Sequence, residues 1–140
     1  MPKINYRYKS LAISAAPVKY DLMPIIPITI SLKGKSINVE ALIDSGANRC
    51  FCPLEIGEAL GVQYSACPKE PVRGIGGAGD IYIHELTIDI EHGIYKFKAA
   101  VGFGGFQLHG FSFILGQKDF FENIDVLFKR RKETVELIIP

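Results

Sequence analysis

Residues 25 to 32, Ile-Ile-Pro-Ile-Thr-Ile-Ser-Leu, alternate apolar and polar positions once past the proline, and a strand pattern resumes from Ile37 to Ile43. A repeat of two puts the apolar residues on one face of a strand. Lys33-Gly34-Lys35-Ser36 lies between the two runs, so the pattern predicts a β-hairpin that leads into Asp44. Pro53-Leu54-Glu55-Ile56-Gly57-Glu58-Ala59-Leu60-Gly61 has a proline near its start and a glycine just past its end, the signature of a short helix. Gly57 weakens it and limits the expectation to two turns. Period-two alternation returns over residues 80 to 90, Asp-Ile-Tyr-Ile-His-Glu-Leu-Thr-Ile-Asp-Ile. Glu91-His92-Gly93 then turns the chain into Ile94 to Val101, which makes a second, longer hairpin. Gly102 to Gly110 reads as a loop, Phe111 to Leu115 as a short apolar strand and Gln117 to Asn123 as a helix. Asp125 to Phe128 with Thr134 to Ile139 forms a closing hairpin, and the whole predicts a mainly β fold with one or two short helices.

Composition narrows the class. With 140 residues, 48% hydrophobic and 22% charged, the chain has apolar material for one core and one domain. A net charge of +1 provides no general field for nucleic acid or anionic lipid. Lys129-Arg130-Arg131-Lys132 is flanked by strand-like residues and reads as a solvated hairpin turn. No apolar stretch reaches the ~18 residues of a membrane span. The short apolar run Leu11 to Ala16 lacks the layout of a signal peptide, so a soluble, cytoplasmic protein is expected, without membrane or nucleic-acid partners. Three cysteines, at 50, 52 and 67, are an odd number, and Cys50-Phe51-Cys52 is too tightly spaced for an easy internal disulfide, so they read as reduced structural thiols. His84, His92 and His109 are scattered, so no metal and no cofactor is expected.

The candidate chemistry sits at Asp44-Ser45-Gly46-Ala47, where the apolar run Val39 to Ile43 ends. A short hydroxyl residue and a glycine after the acid let the backbone turn sharply and let a serine hydroxyl or glycine amide hold the carboxylate. The same three residues are also ordinary turn formers. No second Asp-Ser/Thr-Gly occurs, so a paired carboxylate would have to come from another copy of the chain. Gly74-Ile75-Gly76-Gly77-Ala78-Gly79 matches the dinucleotide-binding pattern letter by letter. That pattern needs a helix to begin within it. Here a strand pattern follows and Pro68 and Pro71 precede, so the glycines read instead as a mobile hairpin tip, a flap.

Asp44-Ser45-Gly46-Ala47, the glycine-rich segment Gly74 to Gly79 and the triplet Ile114-Leu115-Gly116, in that order, resemble the retropepsin-like aspartic proteases over about residues 22 to 139. The resemblance implies a small closed barrel-like acid-protease fold over residues 22–140, preceded by an N-terminal extension over residues 1–21. It further implies a homodimer with one Asp44 from each subunit at the two-fold axis, acting on a peptide or protein substrate. Ser45 would brace the carboxylate pair, Gly46 would give the turn, and the flap at Gly74, Ile75, Gly76, Gly77, Ala78 and Gly79 would close over an extended peptide. The family often carries Gly-Arg-Asp or Gly-Arg-Asn after the apolar pair, whereas this chain has Gly116-Gln117-Lys118-Asp119, which puts an arginine-based dimer contact in doubt. The extension would cover an interface or be removed as a propeptide. Two rivals stand beside the protease: a non-catalytic peptide-binding or dimerisation module of the same fold, and a ligand carrier built on a β-barrel, which leaves Asp44 unexplained.

Overall fold

The alternating runs pair as their turns dictate. In the computed structural model, which describes residues 2–15, 17–74 and 77–140, the chain begins with β1 (Lys3–Arg7), β2 (Lys9–Ala15) and β3 (Val18–Met23). The first predicted hairpin follows as β4 (Ile25–Leu32) and β5 (Lys35–Ile43), paired antiparallel from Ile25↔Leu42 to Leu32↔Lys35. Its two-residue turn has positive φ at both Lys33 (47°) and Gly34 (85°). That geometry matches the twist of the flanking strands and is cheap for glycine.

The loop after Asp44 returns as β6 (Phe51–Pro53) and runs directly into α1 (Leu54–Leu60), which ends at Gly61 with φ 92°. Gly61 adopts the left-handed conformation that stops a helix, and its amide donates to the Glu58 carbonyl at 3.0 Å. Then come β7 (Lys69–Gly74), β8 (Gly77–Ile90), β9 (Tyr95–Gly104), β10 (Phe113–Leu115), β11 (Asp125–Lys129) and β12 (Thr134–Ile138).

Six of these strands close on themselves in the order β4-β5-β10-β6-β9-β8, and β8 pairs back to β4 through Thr29↔Asp89, Ile30↔Ile88 and Ser31↔Thr87. β7 continues the ladder outward from β8. Closure gives the backbone of these strands partners on both sides and encloses one core. Ile26, Ile28, Ile30, Val39, Ala41, Ile88, Val101, Phe103, Phe113 and Leu115 fill it, while the intervening Pro27 and Thr29 face outward or toward the rim. The expected mainly β, closed barrel is therefore what the chain forms.

β12 lies in the middle of a separate three-stranded sheet, between β1 and β11, with Asn5↔Glu136 on one side and Leu127↔Glu136 on the other. The first residues are thus woven into the fold, and the boundary drawn between 21 and 22 falls inside β3. Tyr6 Oη donates to Glu91 Oε2 at 2.6 Å, Lys9 pairs with Glu40, and Leu11 packs where a side chain on Gly110 would otherwise be. The basic run Arg130–Lys132 is an exposed tight turn between β11 and β12, as its flanks predict.

Two expectations need correction. β9 runs on through Gly102, Phe103 and Gly104, so the loop is confined to residues 105–112. Gly102 and Gly104 pair with Phe51 and Pro53 of β6, and packing requires glycine at both, because a Cβ on Gly102 would lie 2.8 Å from Ile81 Cδ1 and one on Gly104 2.9 Å from Phe106 Cε2. Gln117 to Asn123 is not a regular helix: Lys118 is extended (φ −69°, ψ 133°) and Asp119 sits at φ 71°, ψ −38°. Asp119 is held there by its carboxylate, which accepts from the Ala100 amide at 2.8 Å, and by Asn123 Nδ2, which donates to its carbonyl at 2.8 Å.

Gly57, which weakens α1 as a helix former, is required by packing. A Cβ there would meet Tyr64 Oη at 2.0 Å and Phe103 Cδ1 at 2.8 Å. Tyr64 is tethered to the Leu54 carbonyl at 2.6 Å and Phe103 is fully buried, so neither can yield. Gly57→Ala should gain about 1 kcal/mol of helix propensity yet lose more to overpacking, for a net loss of roughly 1–2 kcal/mol. Urea unfolding measures this, and an unchanged or raised midpoint would refute the packing argument.

Candidate active site

Asp44 is the first residue past the sheet, and its backbone is set by strands on both sides. The Ile43 amide donates to the Pro24 carbonyl and the Asp44 amide to the Leu115 carbonyl, both at 3.0 Å. Ala47 donates to the Asp44 carbonyl at 3.1 Å and closes a turn, while the Gly46 amide donates to Asp44 Oδ1 at 2.9 Å. One carboxylate oxygen is thereby oriented, and Oδ2 has no protein hydrogen-bond partner among the described residues. Asp44 is half-buried, and Ser45 and Gly46 are exposed. A side chain at 46 would press on the carboxylate, since its Cβ would lie 3.2 Å from Oδ1.

β10 holds this loop from below. It lies between the two strands that flank the loop, parallel to β5 (Leu115↔Ile43) and antiparallel to β6 (Ile114↔Phe51). Directly after it, Gly116 approaches the loop so closely that a Cβ would sit 2.1 Å from the Arg49 carbonyl oxygen and 2.8 Å from that of Ala47. The Gln117 and Lys118 amides then donate to the carbonyls of Ala47 (2.8 Å) and Asn48 (3.1 Å). Gln117 Nε2 reaches the Ser45 carbonyl at 2.7 Å. The sequence flags Gln117 as a departure from the Gly-Arg pattern. The structure gives it an intrachain task, since its amide braces the residue next to the acid.

The glycine-rich segment lies elsewhere in the chain but on a neighbouring element. Gly74 pairs with Gly77, residue 73 with Ala78 and Val72 with Gly79 in the β7–β8 hairpin, while Ile75 and Gly76 fall outside the described residues. A strand, not a helix, follows, so the phosphate-binding geometry of a dinucleotide site is not formed. Among the described residues an ion pair links this hairpin to the loop: Arg49 Nη2 donates to Glu70 Oε2 on β7 at 2.9 Å.

Other candidates for chemistry do not converge on Asp44. Cys50 and Cys52 are buried, and burial pushes the Cys50 thiol up to about 12 and raises that of Cys52 as well, which keeps both protonated and poorly nucleophilic. His84 is half-buried, with Nδ1 against its neighbour's carbonyl, and His109 is exposed in the 105–112 loop. Phe103 and Phe113 are core residues, whereas Phe106 and Phe111 are only partly covered. Concavities of about 220 and 360 Å³ lie around Cys67 and Thr87, away from the acid.

A closed six-stranded barrel with a carboxylate at the end of β5 and a strand inserted under its loop has the retropepsin-like fold. Among solved structures, a retropepsin-like aspartic protease from Rickettsia conorii matches 97% of this chain and 98% of its own, with a TM-score of 0.61 at 13% identity. The EIAV protease, complexed with the inhibitor HBY-793, matches 68% of this chain and 82% of its own, with a TM-score of 0.51 at 17% identity. At such identities the likeness is one of fold. No family model matches the sequence, and no curated protein matches it.

Replacing Gly116 by alanine should displace the backbone that carries Asp44, because the obstacle is main chain. We expect a loss of roughly 2–3 kcal/mol, the upper range for overpacking. Gly105, where a Cβ would meet nothing within 4 Å, serves as the control. Thermal unfolding of Gly116→Ala and Gly105→Ala makes the comparison, and equal midpoints would contradict the proposed role of the close approach.

Proposed function

We propose that this chain is an aspartic-type endopeptidase whose carboxylate pair forms across a homodimer, one Asp44 from each copy. The observation that carries the reading is a single oriented, half-buried Asp44 per chain, at the end of a barrel strand and locked by β10, in a fold shared with two proteases. An isologous dimer supplies the second carboxylate by symmetry.

Two carboxylates a few ångströms apart cannot both ionise cheaply, so the pair shares one proton and titrates as a unit. The ionised member takes a proton from a bound water as that water attacks the peptide carbonyl, and the protonated member donates to the carbonyl oxygen. The chemistry requires neither a metal nor a covalent intermediate. The Gly46 amide keeps one oxygen of each acid in place, and in this reading the Ser45 hydroxyl braces the pair once the dimer forms. The hairpin tip at Gly74, Ile75, Gly76, Gly77, Ala78 and Gly79 closes over an extended peptide, where the four glycines leave room for main-chain contact. Residues 22–140 form the catalytic unit in this reading, with the first twenty-one as an added segment. No helix of the described residues is long and apolar enough to cross a membrane, and the substrate is a peptide or protein met in the cytoplasm.

Cleavage of a peptide library by wild type and Asp44→Asn, across about pH 4 to 7 where a coupled carboxylate pair titrates, tests the chemistry. Cuts should depend on Asp44, peak at mildly acidic pH and decline as both acids ionise. Unchanged hydrolysis by Asp44→Asn would sink the mechanism, and no cuts from a folded, dimeric wild type would favour a binding module. The shared pair has its own test. Because heterodimers carry one asparagine, equal mixing and exchange of wild type with Asp44→Asn should lower activity per wild-type chain to about half, as random pairing of symmetric dimers requires. Activity that stays proportional to wild-type chains would rule out a dyad built from two copies.

A further inference from the structure

Arg49 lies five residues beyond Asp44, and its carbonyl oxygen is the atom that Gly116 approaches most closely. The backbone from which this side chain projects is therefore fixed to the floor of the candidate site. The guanidinium is largely covered, with 15% of the side chain exposed, and donates to Glu70 on β7 at 2.9 Å. β7 is the outermost strand of its sheet and pairs with β8 alone, from Lys69↔Tyr82 to Gly74↔Gly77. The Lys69–Asp80 ion pair at 3.6 Å and the Lys69 ammonium 5.7 Å from the Tyr82 ring both lie within the hairpin. They stiffen it without tying it to the Asp44 loop. Tyr82 stacks at a tilt on Tyr64, 5.1 Å between ring centres, which anchors the base of the hairpin on its other side.

We propose that the Arg49–Glu70 ion pair is a latch that sets the position of β7 relative to the Asp44 loop, with both residues acting as positioning residues. The kinetic part of this inference rests on the protease reading, and the structural part does not. The chemistry suits a contact that has to open. Glu70 is half exposed, so the pair is weak enough to break thermally and is open to screening by salt. A pair of this kind shifts an equilibrium by only about two- to fivefold.

Hydrogen–deuterium exchange of the full chain tests the latch without requiring activity. Wild type, Glu70→Gln and the charge-swapped double variant Arg49→Glu/Glu70→Arg are compared at low and high salt. Glu70→Gln should raise exchange of the β7 amides about two- to fivefold at low salt. Wild type should approach it as salt rises, and the swapped pair should restore protection. With a cleavable peptide, Glu70→Gln should raise KM by a similar factor while kcat changes less. Equal β7 exchange in wild type and Glu70→Gln at low salt would overturn the latch, as would a salt response that Glu70→Gln shares. Should the swapped variant not fold, the salt dependence of the other two still decides. If hydrolysis is absent or independent of Asp44 while β7 exchange behaves as expected, the latch stands and the protease reading fails. Asp44-dependent cutting with unaltered β7 exchange separates them the other way.

Discussion

Everything at the candidate site depends on one close approach of main chain to main chain, where Gly116 passes beneath the loop that follows Asp44. At that distance no side chain fits, and just beyond it the main-chain amides of Gln117 and Lys118 and the side-chain amide of Gln117 all reach loop carbonyls. Buried main-chain groups must find partners, and a short loop between two strands has few of its own. β10 and its continuation provide them. The result is an acid whose backbone is supported by a sheet although it sits in a turn, so its carboxylate is held by rigid elements and not by the loop alone.

The barrel makes this arrangement possible. Because β4 pairs with β8 as well as with β5, the six-stranded ring closes and β5 is fixed before it delivers Asp44. β10 can run parallel to β5 because a long connection, through β6, α1, β7, β8 and β9, separates the two strands in the chain. The same closure leaves β7 outside the ring, attached along one side. β8 belongs to the ring through β9 and β4, whereas β7 is held by its single ladder to β8 and a few side-chain ties, so it is the less firmly attached of the two arms.

The N-terminal segment and the terminal strands form a second structural unit around β12. With β1 on one side and β11 on the other, β12 has no free edge in this chain. β1 and β11 are the edges left open, and β11 exposes Leu127 and Phe128. Tyr6 hydrogen-bonds to the Glu91 turn of the long hairpin, and Leu11 packs at Gly110, so this unit is fastened to the barrel at separate points.

The sequence by itself determined the two long hairpins, α1 with its glycine stop, the exposed basic turn and the position of Asp44 at the end of a strand. Each is written in a local signal, either apolar residues at period two or turn residues with a required φ. It also flagged the order of three short motifs, though not what joins them. Only the tertiary structure decided that Gly102 and Gly104 are strand residues, that Gln117 to Asn123 is an irregular turn pinned by Asp119, and that the first residues are strands against β12. It alone brought Gln117 to Ser45 and Arg49 to Glu70. These outcomes rest on contacts between residues far apart in the chain, or on glycines chosen for what lies against them, and neither leaves a periodic trace along the sequence.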